Sequence, residues 1–302
     1  MSLEAQLIKY TCRLFFKYYP RTQQDMLKHA RSRFNHLPVP NLLPAFLKHR
    51  SFLWEYDGQK LRGEAILQEA PTYHILYLHG GAFVAGRAST YLNMVGKLAQ
   101  ELHANAYLLD YRLAPEHPFP AALEDAFRAY RFIQENLETS EKLIVAGDSA
   151  GGGLTLSLLL KIRDEKLPLP RCAIALSPVT DLTFSSPSIW QNSECDDVLT
   201  ATFIEKGKGL YCKKEETAHP YVSPLFGDLS NLCPILLTVS ETECLRDDSL
   251  RFKQKAQEAG TSITLLIRED LPHVWPVFHP ILPEATEDLH KISKFILQLR
   301  LP

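Results

Sequence analysis

The segment Gly147-Asp148-Ser149-Ala150-Gly151 follows an apolar run, Leu143 to Ala146, and leads into another, Leu154 to Leu160. Strand, G-x-S-x-G and helix in that order describe a nucleophile elbow, a strained turn that lifts a serine hydroxyl clear of a sheet. Strand and helix approach so closely there that the residues two before and two after the serine must lack bulky side chains, and Gly147 and Gly151 meet that need. Ser149 would then stand at a helix N-terminus, where the helix dipole favours the negative charge of a tetrahedral intermediate. Phosphate-binding loops fit less well. A Walker loop needs Lys-Ser or Lys-Thr after its second glycine, and a dinucleotide loop needs G-x-G-x-x-G, whereas Gly151-Gly152-Gly153 runs into Leu154-Thr155-Leu156. Upstream, His79-Gly80-Gly81-Ala82-Phe83 follows the run His74 to Leu78. Glycines after a strand leave backbone N–H groups unobstructed, so this stretch is a candidate oxyanion hole in preference to a turn that merely reverses the chain. His79 itself is read as orienting that loop, not as carrying a proton.

These residues need a frame. From Tyr73 onward, short β-prone runs alternate with helical ones. Strands are expected at His74 to Leu78, Ala106 to Asp110, Leu143 to Ala146, Ala173 to Leu176, Ile235 to Val239 and Ile263 to Ile267. Helices are expected at Thr90 to Leu102, Ala121 to Glu138, Gly152 to Asp164, Ser249 to Ala259 and Glu284 to Leu299. Such alternation predicts an α/β fold with a mainly parallel central sheet, helices on both faces and ligands at the carboxyl ends of the strands. Before it, Leu7, Tyr10, Leu14 and Phe15 lie at helical spacing and a proline-rich turn (Pro38, Pro40, Pro44) follows. The cluster Phe15, Phe16, Tyr18 and Tyr19 among basic residues is of a kind that rests on a membrane surface, although a helix packed on the rest of the protein is the favoured reading. Residues 182–225, with Trp190, Phe203, Tyr211 and Tyr221, are too long for a simple connection. The expected division is a core of residues 51–181 and 226–302 and one helical cap formed by 1–50 and 182–225.

Composition narrows the classes. The 302 residues are 45% hydrophobic and 23% charged, and 33 Lys and Arg against 35 Asp and Glu leave a net charge of −2. That balance offers no basic footprint for nucleic acid, and the apolar content argues against disorder. No apolar stretch approaches the roughly 18 residues of a membrane span. Glu4, Lys9, Arg13 and Lys17 interrupt any signal-peptide core. Six cysteines without a C-x-x-C pair indicate neither a zinc site nor a disulfide framework, so reduced thiols in a cytoplasm are expected.

Taken together, the motifs make the chain resemble the hormone-sensitive-lipase-like family of α/β-hydrolase carboxylesterases. The resemblance rests on His79-Gly80-Gly81-Ala82-Phe83, on Asp110-Tyr111-Arg112-Leu113-Ala114-Pro115-Glu116-His117-Pro118-Phe119-Pro120-Ala121-Ala122, and on Gly147-Asp148-Ser149-Ala150-Gly151-Gly152. Ser177-Pro178, Ser223-Pro224-Leu225 and Leu245-Arg246-Asp247-Asp248 add to it, in order, over residues from about 50 to 300. It implies a Ser, acid, His triad in that chain order, with the acid after the run Ile235 to Val239 and the histidine after Ile263 to Ile267. The first loop offers Glu241, Glu243, Asp247 and Asp248. The family motif points to Glu243, two residues before Leu245, where most relatives carry Asp; Asp247 is the alternative, with a structural role favoured for it. Of eleven histidines, His273, His279 and His290 follow Glu243. His273, in Leu271-Pro272-His273-Val274-Trp275, is favoured over His279, and His290 lies within the terminal helix.

The resemblance further implies oxyanion donors among Gly80, Gly81, Ala82 and Ala150, with Ala82 standing where relatives often have a third glycine. Arg112, Glu116 and Asp148 read as structural. The expected activity is hydrolysis of short- to medium-chain acyl esters through an acyl-enzyme, with no metal or organic cofactor and a small-molecule ester as the ligand. A homodimer through a sheet edge is the oligomeric form the resemblance implies. Two other readings stand beside it: a non-catalytic small-ligand receptor on the same fold, and an amide or lactone hydrolase with the same triad.

Overall fold

Runs such as Leu143-Ile144-Val145-Ala146 and Ile235-Leu236-Leu237 carry apolar side chains at every position, which a strand tolerates only when both of its faces are covered. In the computed structural model, which describes residues 1–35, 40–137 and 140–299, these runs form the middle of one sheet. Pro38 of the proline-rich turn, Glu138 at one expected helix end and residues 300–302 of the expected core lie outside the described residues. The strands are β1 (Lys48–Tyr56), β2 (Gln59–Leu67), β3 (Tyr73–Leu78), β4 (Ala104–Leu109), β5 (Leu143–Asp148), β6 (Cys172–Leu176), β7 (Ile235–Ser240) and β8 (Ile263–Arg268). The helices are α1 (Leu3–Phe15), α2 (Gln23–Phe34), α3 (Leu92–Leu102), α4 (Ala121–Glu135), α5 (Ser149–Asp164), α6 (Ser188–Gln191), α7 (Ala201–Tyr211), α8 (Arg246–Glu258) and α9 (Pro283–Gln298).

The strand order is β1-β2-β4-β3-β5-β6-β7-β8. All pairs from β4 to β8 are parallel, while β1 pairs with β2 and β2 with β4 in antiparallel register. Successive side chains of β3 part to opposite faces, as the pleat requires. Leu76 and Leu78 join the core beneath α4 and α5, and Ile75 and Tyr77 join the one beneath α3 and α9. Helix α5 is buried on almost every side, consistent with its apolar sequence from Leu154 to Leu160, and it fixes the centre of the molecule.

The hairpin of β1 and β2 is absent from the expected strands. Its signal is Asp57-Gly58 between β-prone runs, and both residues have positive φ (48° and 68°), the backbone of a two-residue hairpin turn. It begins at Lys48, so Lys48, His49 and Arg50 belong to the sheet and not to the N-terminal helical segment.

The N-terminal helices and the stretch from 182 to 225 meet. Phe34 and His29 of α2 lie 6.5 Å, ring to ring, from Phe203 of α7. The Thr200 hydroxyl donates to the Tyr18 carbonyl at 2.7 Å. Ser2 ties the start of α1 to the start of α9, its N–H and hydroxyl each donating to the Glu284 carboxylate at 2.8 Å. Among the described residues, no helix is long and apolar enough to cross a membrane.

Candidate active site

Ser149 is the junction of β5 and α5 and has φ +52°, a left-handed backbone that a non-glycine residue keeps only when its surroundings enforce it. The enforcement is steric. A Cβ on Gly147 would stand 2.4 Å from the Gly151 carbonyl oxygen, and one on Gly151 would stand 2.0 Å from the Leu78 carbonyl oxygen. Below the turn, the buried Asp148 carboxylate accepts hydrogen bonds from Tyr77 OH (2.7 Å), Tyr91 OH (3.1 Å) and Gly80 N–H (2.9 Å). Burial pushes its pKa up to about 6 against the opposing pull of these donors.

Gly80 therefore departs from the expected donor set. Its N–H is directed at Asp148 and so is engaged below the turn instead of facing a substrate oxygen. Its role is to let the loop approach, since a Cβ there would lie 3.1 Å from that of Ser149. Gly81 and Ala82 differ: their N–H groups make none of the hydrogen bonds found among the described residues. Their loop is held instead through carbonyls, Gly81 accepting from Val84 (3.1 Å) and Ala85 (3.0 Å), and Phe83 accepting from Ala114 (2.9 Å). Ala150, second residue of α5, has an N–H for which the helix supplies no acceptor. His79 is buried, stacked on Tyr111 with ring centres 4.4 Å apart, and its carbonyl accepts from Tyr111 OH at 2.5 Å.

Glu243 and His273, from the loops after β7 and β8, form a buried pair with Oε2 and Nδ1 2.6 Å apart. The other carboxylate oxygen accepts from the Ser177 hydroxyl (2.9 Å) and the Ser240 N–H (2.7 Å), so Glu243 is held at both ends. Burial alone would push the imidazole pKa down. The Glu243 charge and hydrogen bond, with Asp196 and Asp148 behind them, outweigh it, and His273 titrates above its ordinary value. Its Nε2 is buried and has no protein partner among the described residues. Asp247 lies elsewhere, accepting from Ser188 N–H (2.9 Å) and Arg246 Nε (2.9 Å). His279 pairs with the Thr286 hydroxyl (2.8 Å), and His290 is exposed beside Glu101.

An elbow serine, unpaired N–H groups on the facing loop and a buried acid–imidazole pair occur here on a largely parallel sheet. Residues 75–277 match the model of a family described as alpha/beta hydrolase fold. The chain belongs to that family. This hydrolase is 35% identical to an acetyl-hydrolase from Streptomyces hygroscopicus over 74% of each chain. It is 34% identical to an esterase from Acinetobacter venetianus over 80% of each. Among solved structures, an esterase from the bacterial hormone-sensitive lipase family superposes with a TM-score of 0.87 at 30% identity, covering 99% of both chains. These similarities place the hydrolase in the hormone-sensitive-lipase-like branch.

In this hydrolase, Ser149, Ala150 and Ala82 line a narrow cavity of about 40 Å³ whose other walls are mostly apolar, among them Val179, Leu182, Leu199 and Phe203, with Lys208 the one charged residue. A larger groove of about 820 Å³ is lined by polar side chains including Arg62, Arg87 and Arg112, and by none of Ser149, Glu243 or His273. Arg112 is clamped on Asp125 (2.8 Å), and Glu116 pairs with Arg31 of α2 (2.8 Å). Two supporting residues were not foreseen. Ser177, with φ +46°, links Glu243 to the Val274 N–H (3.3 Å). Asp196 accepts from the N–H groups of Val198 and Leu199 (both 2.9 Å) and Cys244 (2.8 Å), bracing the acid loop. Ser177-Pro178 carries a motif signal, whereas Asp196 sits in a stretch with no local pattern. Among the described residues, no group of His, Cys, Asp and Glu is placed to hold a metal ion.

Proposed function

We propose that this carboxylic ester hydrolase is a serine esterase that works through an acyl-enzyme. His273 Nε2 accepts the Ser149 proton as the oxygen attacks the ester carbonyl, and Glu243 holds the Nδ1–H tautomer and stabilises the imidazolium. The developing oxyanion is received by the N–H groups of Gly81, Ala82 and Ala150. His273 then protonates the leaving alcohol, and water activated by the same imidazole cleaves the acyl-enzyme. The observation that carries this reading is the buried 2.6 Å Glu243–His273 pair on the same sheet end as a serine held at φ +52°. The mechanism calls for no metal or organic cofactor.

The narrow, mostly apolar cavity supports acyl groups at the short end of the short- to medium-chain range. The names of the relatives, acetyl-hydrolase and ethyl acetate hydrolase, support the same. In this reading the helices α1 and α2 and the segment from 182 to 225 act as the cap that closes the acyl side. The enzyme is taken as cytoplasmic, supported by free thiols at all six cysteines, and as a homodimer through the edge strand β8. A series of p-nitrophenyl esters of increasing acyl length tests the preference, with kcat/KM highest at acetate or butyrate. Amide and lactone substrates compared in the same way test the alternative acyl bond. Labelling by a fluorophosphonate separates the esterase from a receptor on the same fold, which would remain unlabelled.

A further inference from the structure

A helix packed on one side needs one apolar stripe, and α1 has two. Ala5, Ile8 and Cys12 are buried against the protein. On the opposite side Leu3, Leu7, Tyr10 and Leu14 are 79%, 67%, 63% and 63% exposed. At 3.6 residues per turn these four fall within an arc of about 60°, so they form one continuous ridge. None of the described residues covers it.

The charge of the N-terminal segment indicates the occupant of the ridge. Residues 1–35 carry seven Lys and Arg against Glu4 and Asp25, on a chain whose whole net charge is −2. Lys9 and Arg13 pair with Asp270 and Asp197, and Arg31 with Glu116. Arg21, Lys28 and Arg33 are exposed and form no ion pair with a described residue. Arg33 lies over the half-exposed ring of Phe15, 5.5 Å from its centre, so a free cation stands at the end of the ridge. We propose that α1 lies in the headgroup region of an anionic lipid surface, its ridge inserted among the acyl chains and these cations on the phosphates. An apolar helix face in a segment with uncompensated Lys and Arg is the combination that such binding requires. A second copy of the chain fits less well, because it would bring the same cations together, and four side chains fall far short of the roughly 20 residues a side of a stable protein interface. Docked in this way, α1 and α2 hold α7, and with it the Phe203 wall of the cavity, next to the bilayer.

The test is flotation of the full chain with vesicles of phosphatidylcholine alone and of phosphatidylcholine mixed with phosphatidylglycerol. The chain should float with the anionic vesicles and stay behind with the neutral ones. The double variant Leu7→Ser, Leu14→Ser and the triple variant Arg21→Gln, Lys28→Gln, Arg33→Gln should each lower retention roughly tenfold or more. Both should keep the melting temperature and the rate on soluble p-nitrophenyl acetate, since none of these residues touches the core or the cavity. Failure to float with anionic vesicles, or equal retention of the variants, would overturn the proposal. So would a dimer in solution that the leucine variant dissolves, because the ridge would then belong to a second copy. Vesicle binding requires no turnover, so this outcome is separate from that of the esterase reading.

Discussion

A glutamate reaches one methylene further than an aspartate, and the donors around Glu243 take up that reach: Ser177 and Ser240 hold one oxygen while His273 takes the other. Replacing Glu243 by Gln keeps the shape but offers an amide that favours the wrong imidazole tautomer, so kcat should fall by about 10³- to 10⁴-fold. Asp247→Asn should leave kcat close to wild type and cost about 1 kcal/mol of stability through its bond to Ser188, as measured by denaturant unfolding. The pH profile follows from the same pair. His273 must be neutral to accept the proton, and its pKa is held above the ordinary value of about 6.5. Activity should therefore be full above that raised value and be lost as pH falls through it, with the midpoint of the acid limb of kcat/KM above about 6.5. In Glu243→Gln the midpoint should move down, since burial remains and the raising charge is gone. The placement of Ser149 on the turn after β5 and of His273 in the loop after β8 was legible in the sequence, because a motif or a short list of histidines isolates them. Glu243 was less so, because its loop carries four acids and only the turn after β7 decides which one faces the imidazole. Gly80 was misread as a donor because the direction of an N–H is not written in a glycine.

At the scale of elements, the crossing of β5 and α5 governs the site. Gly151→Ala would push a methyl group into the Leu78 carbonyl, which is backbone of the neighbouring strand and cannot rotate away. A loss of about 3 kcal/mol is expected, with the esterase rate falling in step, measured by unfolding and by activity of the soluble fraction. The central strands were legible because parallel strands buried on both faces are written as uninterrupted apolar runs. The β1–β2 hairpin was not recognised. Its first strand is largely exposed, so Phe52, Trp54 and Tyr56 alternate with polar or exposed neighbours, and the informative signal was the Asp57-Gly58 turn.

For the molecule as a whole, the proposed mechanism draws its chemistry from the sheet and the shape of the substrate site from the helices above it. Phe203 stands between the two, in contact range of His29 and Phe34 on one side and lining the cavity on the other. Phe203→Leu should enlarge the acyl side and raise kcat/KM for octanoate relative to acetate by roughly tenfold, read from a chain-length series. That relation was hidden from the sequence because α2 and α7 are about 180 residues apart and meet only through the fold. The proposed hydrolysis depends on one oxygen atom, that of the Ser149 hydroxyl. Its most direct test is Ser149→Ala, assayed on p-nitrophenyl acetate and butyrate beside fluorophosphonate labelling of the wild type. The predicted result is a labelled wild type and a variant whose hydrolysis is lower by about 10³-fold or more with its fold intact. Unchanged hydrolysis by the folded variant would contradict the account.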